Sequence, residues 1–247
     1  MAGVVVSMRV PCMIFFFLCS GSLWAQKGVH EAWGRMLQTY VSESGDVDYK
    51  AWKEDRYALD AYIEALARNA PAKDAPTPQR MAFWINAYNA LTVQLILKNY
   101  PLESIRDLYR PWGRTVFQIG DQSYSLGAIE HRILRKMGDP RIHFAINCAS
   151  ASCPKLSRTV YTGRGLEQQL HQATQAFLTD PSKNKIEGNQ WRLSRIFLWF
   201  GQDFGGRKGK IAFIKKVLGL PQETTPEIGY KRYDWGLNQA YNSPIIQ

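Results

Sequence analysis

The sequence predicts an α+β fold: a single domain in which a central buried helix packs with further helices against a small antiparallel sheet. Three observations predict it. Residues 81–91 are apolar nearly all round, the pattern of a helix with no solvent face. Short strand-like runs come in pairs joined by turn residues, Gly120-Asp121 in one case and Glu187-Gly188-Asn189 in another. Helices and strands do not alternate one for one, which disfavours a doubly wound parallel sheet.

The elements follow in order. Residues 59, 62, 63 and 66 (Leu, Tyr, Ile, Leu) recur at helical spacing within 48–68. A Pro-rich break over 70–78 leads into Thr77-Pro78, which reads as a cap and first helical residue. That helix is predicted to stop at Tyr100-Pro101, because the residue before a proline avoids helical geometry. Residues 115–125 read as a hairpin, and Ser125 as the cap of a helix through Arg135 that closes near Gly138. Residues 141–147 are predicted to form a buried strand. Further helices are expected over 166–178 and 210–218, with a short aromatic one after Ser194. Short strands flank the turn at 187–189, and 227–235 is the last expected strand.

Composition narrows the function classes. With 247 residues, 45% hydrophobic and 21% charged, the chain can bury one sizeable core and is neither disordered nor collagen-like. Lys+Arg is 31 against Asp+Glu 21, a net charge of +10. That excess suits an acidic envelope polymer, a lipid headgroup or a protein partner better than nucleic acid, or serves solubility alone. No Gly-rich phosphate loop, Walker pattern or H-E-x-x-H appears, so no cofactor is implied. A C-x4-C with one nearby His supplies too few ligands for zinc, so no metal is implied either.

Residues 11–23 are apolar, uncharged and too short for a comfortable span, with Arg9 before them and Ala25 at a cleavage position. Residues 1–25 therefore read as a signal peptide, with Met8 an alternative start. One globular domain is expected over 26–247, exported to a periplasmic or extracellular space, with no transmembrane span once the signal is removed. An uncleaved anchor helix and a lipid on Cys19 are the alternatives. Cleavage leaves Cys148 and Cys153 in an oxidising compartment, where nearby thiols tend to pair.

Three motifs carry chemistry. Asn86 and Asn89 share one face of the apolar helix, and a buried amide must be partnered. They serve a hydrogen-bond network or point into a cleft. His143, Ala145 and Asn147 fall on one face of the expected strand, with Phe144 and Ile146 on the other. That strand runs into a loop of small residues holding Cys148 and Cys153. A thiol near an imidazole is the minimum for nucleophilic catalysis, with His143 as base and Cys148 as nucleophile. A Cys148–Cys153 disulfide with a core histidine is the alternative. Glu130 and His131 are adjacent in a helix, so they point about 100° apart and only one can face a site. The expected site is a cleft lined by Asn86, Asn89, Glu130, His131, His143, Asn147 and the cysteine loop.

Long blocks then carry a resemblance. The runs AFWINAYNALT (82–92), YSLGAIEHRILR (124–135) and DPRIHFAINCASASCP (139–154) resemble bacterial members of the domain-of-unknown-function 547 family. Leu193 to Phe197, Asp203-Phe204, Tyr233 to Trp235 and Leu237-Asn238 are similar to that family's later blocks, so the resemblance spans about 33–238. A central helix followed by a His-bearing strand is also similar to papain-like and transglutaminase-like folds. There the nucleophilic Cys begins the helix, and here residues 78–84 contain none. Two functions remain: an exported binding or scaffold domain with a polar cleft, and a thiol-dependent hydrolase or acyl transferase acting on an envelope peptide or polymer.

Overall fold

The computed structural model describes residues 21–240 apart from 222 and 224. The expected leader, residues 1–25, falls largely outside that range. The chain is mixed helix and sheet. It opens with α1 (Gly21–Tyr40), α2 (Tyr49–Glu54), α3 (Arg56–Arg68) and the long α4 (Thr77–Asn99). The hairpin β1 (Thr115–Ile119) and β2 (Gln122–Ser125) leads into α5 (Leu126–Ala128). Then come α6 (Leu166–Thr179), β3 (Lys185–Glu187), β4 (Gln190–Leu193), α7 (Ile196–Trp199), α8 (Gly206–Leu218) and β5 (Glu227–Tyr230). Among the described residues, no helix is long and apolar enough to cross a membrane.

Local chemistry explains most boundaries. Asp48 accepts the Ala51 N–H at 2.9 Å and starts α2. The helical stretch 48–68 is broken at Asp55, which ends α2 and precedes α3. Thr77 is the first residue of α4 and not its cap: Pro76 holds the cap position and no side chain bonds there. Ser125 caps α5 by accepting the Ala128 N–H at 3.1 Å. The helix then widens into a π turn, Ile129–Leu134, tightens into a 3-10 turn, Arg135–Met137, and stops at Gly138 with φ +82°. α8 begins at Gly206, earlier than the expected 210.

Two expectations are corrected. The small antiparallel sheet is two sheets: the antiparallel β1–β2 hairpin, and a mixed sheet ordered β3-β4-β5. β3 pairs antiparallel with β4, while β5 returns after α7 and α8 and pairs parallel to β4. It is also shorter than the expected 227–235. The second correction is the strand over 141–147. Pro140–Phe144 is a 3-10 helix, because Asp139 accepts the Arg141 N–H at 2.9 Å and Pro140 occupies a first-turn position. Cap and proline outweigh β-branching there. The His-bearing strand on which the papain-like comparison rested is therefore absent at that place.

Among the described residues, two apolar clusters form the interior. The first surrounds α4 and includes Trp33, Trp52, Tyr62, Ile85, Leu91 and Ile129. The second gathers Phe144, Phe177, Trp191, Leu193, Phe197 and Ile214. Each large side chain so buried contributes about 1.5–3 kcal/mol. Residues 142–148 run along the seam: Ile142, Ala145 and Ile146 belong to the first cluster and Phe144 to the second.

Candidate functional site

The two asparagines of α4 face different segments. Asn86 donates to the Tyr161 carbonyl at 2.8 Å and accepts the Tyr161 N–H at 3.0 Å. Asn89 donates to the Ala145 carbonyl at 2.9 Å and accepts the Asn147 N–H at 2.8 Å. Each amide thus imitates a strand neighbour for a loop that has none. Asn147 continues the frame, accepting the Ala149 N–H and donating to the Pro154 carbonyl. All three are nearly inaccessible. Asn86 does not join the His143 group.

The titratable side chains gather elsewhere. The π turn sets Glu130 inward and leaves His131 exposed. The wide turn is closed by the Arg135 N–H on the Glu130 carbonyl, the kind of irregularity common at functional sites. His143, 3% exposed, lies between two carboxyls. Its Nε2 is 2.8 Å from Asp203, and its Nδ1 is 4.0 Å from Glu130. Phe200 stacks on its ring with centroids 4.0 Å apart. Arg135 grips both oxygens of Asp203 at 2.6 Å, and its Nη1 lies 3.2 Å from His131. The Tyr88 hydroxyl donates to Glu130 and accepts from Trp112.

Burial dominates the protonation of this group. It pushes Glu130 up to about 7, against the opposing Arg135 charge and the Tyr88 hydrogen bond. It pushes His143 down to about 4, although Asp203 pulls the other way. The Arg135 hydrogen bonds, helped by His143, hold Asp203 at about 2. At neutral pH the set is a neutral imidazole on an ionised Asp203, facing a carboxyl poised to gain or lose a proton.

The cysteine loop lies alongside. Cys148 and Cys153 form a disulfide, with Cα atoms 6.1 Å apart. Ala149 between them has φ +60°, a left-handed value that a side chain rarely adopts. Tyr233 reaches both sulfurs, at 3.4 Å to Cys148 and 3.3 Å to Cys153. Above Tyr233 lies the exposed Trp199, ring centroids 4.8 Å apart, which also stacks on Trp235 at 5.6 Å.

Of the residues expected in one cleft, Glu130, His131 and His143 come together. Cys148 and Cys153 lie against Tyr233, whose ionisation burial opposes most and the Glu130 charge further. Asn89 and Asn147 hold the loop's frame. Neither of two prominent hollows, about 250 and 980 Å³, is lined by any of these residues. Sequence reasoning missed Tyr88, Arg135, Asp203 and Tyr233. Tyr88 sat between the two noted asparagines, and the other three ended or opened blocks that carried the resemblance.

Residues 72–178 match the family described as "Protein of unknown function, DUF547". Through those residues, which are less than half of the chain, it is similar to the DUF547 family. No curated protein and no solved structure matches it. The DUF547 stretch is shorter than the 33–238 resemblance. It holds α4, Glu130, His143 and both cysteines, whereas Asp203 and Tyr233 come from the chain beyond it.

Proposed function

We propose that this chain is an exported binding domain whose binding face lies over the Glu130–His143–Asp203 group. One observation carries the reading: Leu198 and Trp199 are exposed side by side, 46% and 44%, and immediately precede Phe200 in the chain. Phe200, the next residue, stacks on His143, and Trp199 packs tilted against Tyr233 and stacks on Trp235. An exposed aromatic seated on other aromatic rings is a typical binding anchor. Cations rim it. Arg106 lies over the Trp235 ring at 5.3 Å, and the exposed Arg195 opens the turn that carries Trp199. An acidic envelope polymer suits that rim.

The thiol-hydrolase reading has less support. The Cys148 sulfur is held in a disulfide, and both His143 nitrogens face carboxyls. Calorimetric titration with polyglutamate separates the two. Saturable binding that Trp199→Ala weakens about tenfold or more agrees with an anchor residue. Absence of binding by the wild-type protein sinks the acidic-polymer face. Ester hydrolysis that appears on reduction and vanishes in Cys148→Ser restores the hydrolase. The export half is checked by N-terminal sequencing of secreted protein, expected to begin at Gln26.

A further inference from the structure

We propose that Cys148 and Cys153 form a thiol–disulfide exchange site, attacked at Cys148 by an external dithiol, with Cys153 as the leaving thiolate. The two sulfurs are not equivalent. Cys148 is half-buried, whereas Cys153 is 5% exposed, so an incoming thiolate reaches Cys148 first. The buried sulfur already has its donors. The Cys148 backbone N–H points at the Cys153 sulfur at 2.9 Å, and the Tyr233 hydroxyl donates to it at 3.3 Å. A neutral disulfide sulfur gains little from such donors, but a thiolate gains much, because hydrogen bonds to a charged acceptor are about twice as strong. Burial holds the Tyr233 hydroxyl well above the ordinary phenol range, so it stays protonated and able to donate.

The loop fits the same use. Asn147 fixes its base through Asn89, and backbone bonds from Ala151 and Ser152 to Gly236 and Asp234 tie its far side. These anchors hold whether or not the sulfurs are joined, so the two cysteines stay positioned after the bond opens. A structural staple would cross-link segments that nothing else holds. This one closes a loop that side chains and backbone already define.

The step balances. The thiolate of the dithiol attacks the Cys148 sulfur and forms a mixed disulfide. The electron pair of the broken bond goes to Cys153, which leaves as a thiolate. The second thiol of the dithiol loses its proton and attacks the sulfur joined to Cys148, releasing the Cys148 thiolate and a closed disulfide. The two protons of the dithiol end on the two cysteines. The external dithiol is oxidised and the protein disulfide reduced, and the reverse sequence reduces an external disulfide while Cys148 and Cys153 are oxidised back to their disulfide.

The test uses the full chain. Native protein is exposed to dithiothreitol, quenched by alkylation and weighed intact, with a parallel reaction in denaturant. Native reduction within about tenfold of the denatured rate is expected for a bond held open to attack. A bond at least about a thousandfold slower in the native protein, opening only on unfolding, overturns the proposal. With glutathione disulfide, Cys153→Ser is expected to form a mixed disulfide at Cys148 about tenfold or more faster than Cys148→Ser forms one at Cys153. Equal capture overturns the assigned direction. Tyr233→Phe is expected to slow native reduction about tenfold and leave the denatured rate unchanged. An unchanged native rate overturns the role of that donor.

Discussion

The buried amides of α4 and the buried ionisable groups beyond it solve the same problem in opposite ways. Asn86 and Asn89 spend their hydrogen bonds on backbone, each pairing with one donor and one carbonyl of a passing segment. Glu130, His143 and Asp203 spend theirs on side chains. A backbone partner cannot change protonation, so the first arrangement is insensitive to pH and specifies a path for the chain. A side-chain partner can, so the second responds to pH and to anything that binds over it. Buried polar groups bonded to loops position; buried titratable groups bonded to one another act.

Mutations can break that comparison, beginning with the largest effect. Asn89→Leu strips partners from the Ala145 carbonyl and the Asn147 N–H, and should cost about 2–5 kcal/mol in urea unfolding. Asn86→Leu should cost a similar amount but leave hydrogen-exchange protection of residues 143–153 intact. Equal loss of protection in both variants would mean that the asparagines hold one network and not two.

Glu130 comes next. Its carboxyl is raised from 4.5 to about 7 in the folded protein, so the unfolded chain ionises first as pH rises. Its contribution is fully present below pH 4.5 and lost as pH passes 7. Glu130→Gln should remove that loss, gaining about 2–3 kcal/mol relative to wild type between pH 4.5 and 8. Parallel stability curves for the two proteins would show that Glu130 is already solvated.

His143 has the opposite sign. Its folded value is lowered from 6.5 to about 4, so its contribution is present above pH 6.5 and lost as pH falls through 4. His143→Gln should flatten the acid limb by about 2–3 kcal/mol, a figure that already includes the opposing pull of Asp203. A variant whose acid limb keeps its slope would assign that limb to other groups. The smallest effect is expected at the surface. Glu167→Gln breaks the exposed pair with Arg141, yet should cost less than about 1 kcal/mol, because water screens it. A cost larger than that would mean Glu167 positions the Pro140–Phe144 turn through Arg141.

Much of this was legible in particular residues. The apolar run around Asn86 announced a helix without a wet face, and α4 is buried along almost its whole length. Gly120-Asp121 marked the β1–β2 turn, and Ser125 marked the cap of α5. The turn at Pro140 was written in Asp139-Pro140, which outweighs the apolar alternation that follows. Asp203 was visible as a residue but not as a partner, because sixty positions separate it from His143.

The sequence by itself determined the class of fold, the central helix, the need of its asparagines for partners, and the resemblance to a family over residues 72–178. These are local matters of period, capping and composition, and local chemistry decides them. Only the tertiary structure decided which groups meet. It sent Asn86 to Tyr161 and Asn89 to residues 145–147, brought Asp203 and Arg135 to His143, and laid Tyr233 across the disulfide. It also turned β5 parallel to β4. Such pairings depend on how two apolar clusters close against each other along residues 142–148. Packing of that kind is a property of the whole chain, and no short segment encodes it.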